Sequence, residues 1–528
     1  MYSHIILRDV LAKYQYLDKK ERAFITRVTE GTLEHMIEID YILNQFSKVK
    51  VKKMKPVIRN ILRSAVYQLK YMYSVPDHAV CSEAVKLAVR KGFSGLKGYV
   101  NGVLRSIARG LDDVKYPTEE VAALSVKYSI PEWIIRMWKN TYGEETVKTM
   151  AADFLKEKPV TIRCCQEKIT PKELKKRLEA EGVRVTAHPY LPYAFTITGF
   201  DYLDGLESFQ EGLFAVQDIS SMLVGELASP QAGAQIVDVC AAPGGKALHV
   251  AEKLWIAEQE KAKEEQQSEH EMNPDEQKID EVSVQPVGRV EARDLTEYKV
   301  EMMWDNISRS GLKNIAAVCQ DATMPDEEWK EKADLVIADL PCSGLGVFGR
   351  KPDLKYRIQE QDLHDLAKLQ RQILENVQRM VKTGGTLLYS TCTVNPEENI
   401  ENVHWFLKEH PEFYLDDIQT DLCPELKESV EEQGCLQLLP GVHQCDGFFI
   451  ASEDLKLRGP GDFFGVRQSG DFDFGIADVF TDAKTLKEAS DAAKDLLKND
   501  PELKLEDNIY LKQKVAEYTI KCLEKINL

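Results

Sequence analysis

Between residues 229 and 452 five short apolar runs recur: QIVDVC, GRVEARD, IAAVCQD, ADLVIADLP and GGTLLYST. Each is bounded by turn-forming residues and is nearly continuous in apolar side chains. That pattern belongs to strands buried on both faces, and hence to a parallel sheet covered by helices on either side. The segments between the runs have helical spacing and supply the covering layers. The expectation is a doubly wound, Rossmann-like α/β domain. In such a sheet the loops that do chemistry stand at the carboxyl ends of the strands.

The residues at those ends are therefore the first to inspect. Asp238-Val-Cys-Ala-Ala-Pro-Gly-Gly-Lys246 follows the first run and opens a helix. Glycines at such a turn let backbone N–H groups approach a ligand closely. A Walker-type phosphate loop would need Gly at Cys240 and Ser or Thr at Ala247, so a nucleoside triphosphatase is disfavoured. The second run ends in Asp294, the third leads into Asp321 and the fourth ends in Asp339. One strand-end acid is more often a cap or turn residue. A row of them in strand order points to a polar ligand, and carboxylates suit a cationic ligand better than a phosphate-rich one. Cys342 follows the fourth run and Cys392 the fifth. A thiol can act as a nucleophile if the site stabilises the thiolate, because a free thiol has a pKa near 8.5. A lone strand-end cysteine is usually a small buried hydrophobe. Two at one crevice weaken that reading.

The rest of the chain divides by pattern. Residues 1 to about 145 read as helical, with Ile61, Leu62, Ala65, Val66 and Leu69 on one face. From Lys48 to Arg109 there are fourteen Lys or Arg against Asp77 and Glu83, inside a chain of net charge -18. Such asymmetry is an electrostatic footprint for phosphate, against the alternative of a solvated helical face. Lys52, Lys53, Lys55, Arg59 and Arg63 are the candidate contacts. From 146 to 228 the pattern is short strands around a helix that starts at Thr170-Pro171-Lys172-Glu173, a capping box. Residues 256–287 are polar, acidic and aromatic-free. They read as a disordered surface insertion, with a solvated helical extension as the alternative. Removing them brings Asp294 to about the usual 20 residues beyond the glycine turn. Eleven cysteines without a CxxC pair argue against a disulfide framework or a zinc site. No apolar run reaches the 18 or so residues of a membrane span. The expectation is a cytoplasmic monomer with no metal and no membrane partner.

DVCAAPGGK, VEARD, QDAT, DLPCSGLGVFGRKPD, STCTVNPEEN and LLPGVHQCDGFF resemble, in order, the motifs of the Sun/RsmB branch of the RNA cytosine-5 methyltransferases. The likeness runs over nearly all of residues 1–452. It implies a class I methyltransferase domain at 229–452, a small α/β module at 146–228 and a NusB-like RNA-binding domain at 1–145. It implies S-adenosylmethionine contacts from Cys240, Ala241, Ala242, Pro243, Gly244, Gly245, Lys246, Asp294, Asp321 and Asp339. It implies Cys392 as the nucleophile that adds to C6 of cytosine. Cys342 becomes the helper in product release, and Asp339 assists at N3. The implied substrate is a cytosine of 16S rRNA, position 967 in the family's name for the activity.

Two stretches depart from that pattern. Family members usually carry another helix before YSHIILRDVL, so the expectation is that the helical domain lacks its first helix or that the start codon is misassigned. Residues 453–528, with RGPGDFFGVRQSG from Arg458 to Gly470, resemble the extreme C-terminus of the RecG DNA helicase. Both families share a DGF-x-IA-like sequence there, and the expectation is that two coding regions were joined at it. Without GxxxxGK[ST] a helicase activity is not expected. The competing reading is a non-catalytic RNA-binding factor or an inactive fusion product.

Overall fold

The computed structural model describes residues 3–14, 16–272 and 285–455, and these fall into two compact units. One contains the residues up to Lys156 together with Phe348–Ile358; the other contains Glu157–Val347 and the described residues from Gln359 onward.

The first unit is helical: α1 (Ser3–Ala12), α2 (Lys19–Glu34), α3 (Met36–Phe46), α4 (Pro56–Tyr71), α5 (Asp77–Arg90), α6 (Lys97–Gly110), α7 (Glu120–Tyr128), α8 (Glu132–Tyr142) and α9 (Glu144–Asp153). Pro56 stands at the start of α4, where its missing N–H costs nothing. The apolar face of α4 is buried as its spacing requires: Ile61, Leu62, Ala65, Val66 and Leu69 pack with Ile39, Leu43, Leu87 and Leu104. Gly31 of α2 lies against the Tyr67 ring, where any Cβ would sit 2.0 Å from the ring.

Phe348–Ile358 joins this helical unit, although its sequence lies within the stretch read as the α/β domain. Phe348 packs on the rings of Trp138 and Phe154. Asp353 is fully buried and accepts from the backbone N–H and the hydroxyl of Ser3, at 3.0 and 2.7 Å. Lys355 donates to the Glu34 carbonyl at the end of α2, and Tyr356 to that of Leu33. Burial lowers Lys355 to about 7, against the opposing pull of Glu34.

The second unit holds two sheets. The smaller has β1 (Val160–Cys164), β2 (Arg184–Ala187), β3 (Ala194–Thr198) and β4 (Phe214–Val216) in the order β2-β3-β1-β4. Its helix α10 (Pro171–Ala180) begins with the expected Thr170–Glu173 capping box, and a short α11 (Glu207–Gln210) precedes β4. Then come α12 (Ile219–Ala228), β5 (Gln235–Asp238), α13 (Gly245–Met272), β6 (Arg289–Asp294), α14 (Glu297–Ser310), β7 (Ile315–Cys319) and β8 (Ala333–Asp339). They are followed by α15 (Glu360–Val377), β9 (Val381–Thr391), α16 (Ile400–Glu409) and β10 (Phe413–Leu415). The last elements are α17 (Pro424–Lys427), β11 (Val430–Glu432), β12 (Cys435–Leu438) and β13 (Phe448–Leu455). The five apolar runs become β5 to β9, and β7-β6-β5-β8-β9 pair in parallel. Beyond β9 the sheet turns antiparallel through β13 and β12, so it is mixed rather than all parallel.

For residues 256–272 the disordered reading needs correction and the helical alternative holds. Helix α13 runs on through Met272, and residues 273–284 lie outside the described residues. Its polar sequence is rich in Ala, Glu, Lys and Gln, which favour helix even without a buried face. Glu258 also binds it to the fold, accepting from the backbone N–H groups of Gly233 and Val287 at 3.2 Å and of Gly288. The tail expected to resemble RecG lies outside the described residues from 456 onward.

Candidate active site

The site is built at the carboxyl ends of β5, β6, β8 and β9. After β5 the chain turns at Gly244, whose φ of +100° suits glycine, and enters α13 at Gly245. The turn is fastened to β6: Ala241 N–H donates to the Arg293 carbonyl at 2.7 Å, and Ala242 N–H to Asp294 at 3.2 Å. Asn306 of α14 donates to the Pro243 carbonyl at 2.9 Å. Asp294 is buried, accepts from Leu295 N–H at 2.7 Å and pairs with Lys299 at 3.0 Å. Asp321 uses its Oδ1 in a turn, accepting from the backbone and hydroxyl of Thr323. That is the turn role a single strand-end acid usually plays.

Lys246 and Asp339 face each other at 2.7 Å, and Ser390 donates to the other oxygen of Asp339 at 2.9 Å. Burial alone would lower Lys246; the Asp339 charge and hydrogen bond win and raise it. Lys246 also lies over the Phe448 ring, 5.1 Å from its centroid. Beneath this pair Asp238 is fully buried, and burial, reinforced by Asp339, pushes it to about 8. Cys240 is held as a thiol by burial, with Asp294 adding to the upward shift.

Cys392 is the residue after β9, and Cys342 lies three residues past β8. Their sulfurs are 3.2 Å apart. The hydrogen bond to Cys392, then burial, pushes the Cys342 thiol well up. The two sulfurs share this hydrogen bond, and either can donate it. Gly346 and Gly447 let the loops close: Gly346 N–H donates to the Cys392 carbonyl and Gly447 N–H to the Gly346 carbonyl. A Cβ on Gly346 would stand 2.1 Å from the Gly447 oxygen.

Sequence reasoning passed over several residues of this site. Ser390, Phe448 and Glu398 all sit inside quoted motifs, yet none carries a signal by itself. In the helical unit Lys52, Lys53 and Lys55 are exposed and Arg59 is half-buried. Arg63 needs correction as a surface contact: it is buried and paired twice with Asp40, at 2.7 and 2.6 Å. Its place on the inward side of α4 explains this.

Comparison with known proteins decides the family. A probable ribosomal RNA small subunit methyltransferase B of Bacillus subtilis is 35% identical over 457 residues, covering 86% of this chain and 95% of that one. This chain belongs to the ribosomal RNA small subunit methyltransferase B family. A probable methyltransferase B of Synechocystis is 30% identical over 464 residues, covering 85% and 97% of the two chains. The 16S rRNA methyltransferase RsmB/F family matches residues 275–454, and the NusB family matches 2–109. A ferredoxin-like domain of RsmF/B-like methyltransferases matches residues 130–201. The C-terminal part of domain 3 of the ATP-dependent DNA helicase RecG matches 444–527. The crystal structure of PH0851 superposes with a TM-score of 0.69 at 26% identity, covering 84% of this chain and 93% of that one. The family is one of S-adenosylmethionine-dependent methyltransferases.

Proposed function

We propose that this protein methylates C5 of a cytosine in 16S rRNA through a transient bond between Cys392 and C6. The observation that carries the reading is the pair of thiols 3.2 Å apart at the ends of β8 and β9, neighbouring the Lys246–Asp339 ion pair. C5 of cytosine is a poor nucleophile, and two thiols at one methyl-transfer crevice answer that difficulty. Addition of the Cys392 thiolate to C6 makes C5 enamine-like, able to accept a methyl cation. Asp339 assists at N3 through its ion pair with Lys246, which carries the proton to be donated. After transfer C5 carries both a proton and a methyl group. Cys342 helps the proton leave, the C5–C6 double bond re-forms and the Cys392 thiolate departs.

The strand ends fit a sulfonium cofactor. A glycine turn allows close backbone approach, and the carboxylates of Asp294 and Asp339 complement a positive charge. S-adenosylmethionine bound between Cys240–Lys246 and Asp294, with Asp321 and Asp339 flanking, supplies an electrophilic methyl group. Lys52, Lys53, Lys55 and Arg59 contact RNA phosphates. The target is the family's cytosine 967. An rRNA substrate implies the cytoplasm, and the protein acts as a monomer. Among the described residues no helix is long and apolar enough to cross a membrane.

The test is nucleoside analysis of unmodified 16S rRNA after incubation with protein and S-adenosylmethionine. 5-Methylcytidine is expected. Methylation at another atom would overturn the C5 assignment. RNA binding with no methyl transfer would favour the non-catalytic reading.

A further inference from the structure

The two cysteines come from different loops, and something must set their separation. Each is flanked by residues whose polar groups are engaged. On one side of Cys342, the Pro341 carbonyl accepts from Gln370 at 2.8 Å. On the other, Ser343 donates its backbone N–H at 2.8 Å, and also its hydroxyl, to Glu398. Beside Cys392, Thr393 meets the Ser343 hydroxyl at 2.7 Å, and its carbonyl accepts from Asn399 at 3.1 Å. The Glu398 carboxylate is the hub. It is fully buried and also accepts from Asn395 at 3.0 Å and Gln370 at 3.1 Å. Its backbone carbonyl accepts from the Tyr389 hydroxyl of β9.

We infer that Glu398 is a positioning residue that joins the Cys342 and Cys392 loops and sets the contact between the two sulfurs. This rests on the proposed two-cysteine reaction only for its consequence in catalysis. A buried carboxylate is costly unless hydrogen-bonded, and four donors from three residues meet that need. Burial pushes Glu398 upward while the donors hold it down. A glutamine of the same shape presents an NH2 group where only donors converge, so at least one contact turns repulsive. Cys342 and Cys392 then separate, and the hydrogen bond between them weakens.

The test uses the full-length protein without RNA. Iodoacetamide labelling of Cys342 and Cys392 is followed against pH by peptide-resolved mass spectrometry, for wild type, Glu398→Gln, Ser343→Ala and Glu397→Gln. The wild type is expected to show a coupled pair with Cys342 suppressed. In Glu398→Gln both profiles are expected to relax toward the value near 8.5 of an isolated thiol. Ser343→Ala, the milder change should Glu398→Gln fail to fold, moves them less in the same direction. Glu397→Gln is expected to leave them unchanged. With RNA, kcat of Glu398→Gln is expected to fall about a hundredfold, as for a misplaced reacting group, with KM for S-adenosylmethionine within twofold. Unaltered profiles in both Glu398→Gln and Ser343→Ala would overturn the inference. Profiles that shift in the two variants, with a wild type that forms no 5-methylcytidine, would overturn the reaction while leaving the positioning role in place.

Discussion

The strand-end crevice and the basic helical segment use charge in opposite ways. In the crevice, charges are few and paired, Lys246 with Asp339 and Asp294 with Lys299, above the fully buried Asp238. In the helical segment, Lys52, Lys53 and Lys55 are numerous, adjacent and exposed. Buried charges must be matched atom by atom, so each acquires one geometry. Exposed cations keep their water and their rotamers, and act together as a field. The first arrangement suits bond-making at one atom, and the second suits a phosphate backbone met in many registers. Arg63 marks the border, because it belongs to the basic segment in sequence but to the buried, paired class in structure.

That contrast can be broken experimentally, most severely at the thiols. Cys392→Ala is expected to lower methyl transfer by roughly 10⁴-fold or more, as loss of a covalent nucleophile does, with RNA affinity unchanged. A smaller but still large effect is expected in the interior. Arg163 and Glu252, buried between β1 and α13, form an ion pair, and Arg163 also donates to Gln217 at 2.9 Å. Arg163→Met should cost about 3–5 kcal/mol in urea unfolding, since it strands a buried carboxylate. The exposed Lys86–Glu83 pair at 2.8 Å is the counterpart in the helical unit, and Lys86→Ala should cost at most about 0.5 kcal/mol.

Asp238 sharpens the comparison through pH. Its folded pKa of about 8 lies above the ordinary 3.8, so the folded state holds a proton that the unfolded state releases. Its contribution to stability is fully present below about 3.8 and is lost as pH rises through about 8. Asp238→Asn should flatten the fall in urea midpoint across that window. A wild-type curve with no such component would contradict the burial argument.

The smallest effect is expected at the surface. Changing Lys52, Lys53 and Lys55 to Gln should reduce the slope of log affinity for RNA against log salt by about 0.7 per single-strand contact. Arg63→Met should leave that slope alone and lower stability instead. If Arg63 also changed the slope, its exclusion from the phosphate field would be wrong.

How far the sequence could be read follows from the same distinction. Strands β5 to β9 were legible because burial on both faces demands continuous apolar runs. Asp294, Asp339, Cys342 and Cys392 were legible because topology makes strand ends significant. The antiparallel extension through β12 and β13 was not, since the pairing of these strands is set by β9, not by local pattern. The choice at α13 between a solvated helix and a disordered segment is open in the sequence because the two have similar composition, and Glu258's contacts favour the helix. Arg63 needed Asp40, and Asp353 needed Ser3; such distant partners leave no local mark. Glu398 was hidden by adjacency, for nothing in Glu397-Glu398 says which carboxylate turns inward.

The most direct test of the two-thiol account is a denaturing gel of protein incubated with unmodified 16S rRNA and S-adenosylmethionine. Wild type, Cys342→Ala and Cys392→Ala are run side by side. The account predicts a stable protein–RNA adduct that accumulates with Cys342→Ala and is absent with Cys392→Ala, while wild type turns over to 5-methylcytidine. An adduct formed by Cys392→Ala, or methylation by that variant at the wild-type rate, would contradict it.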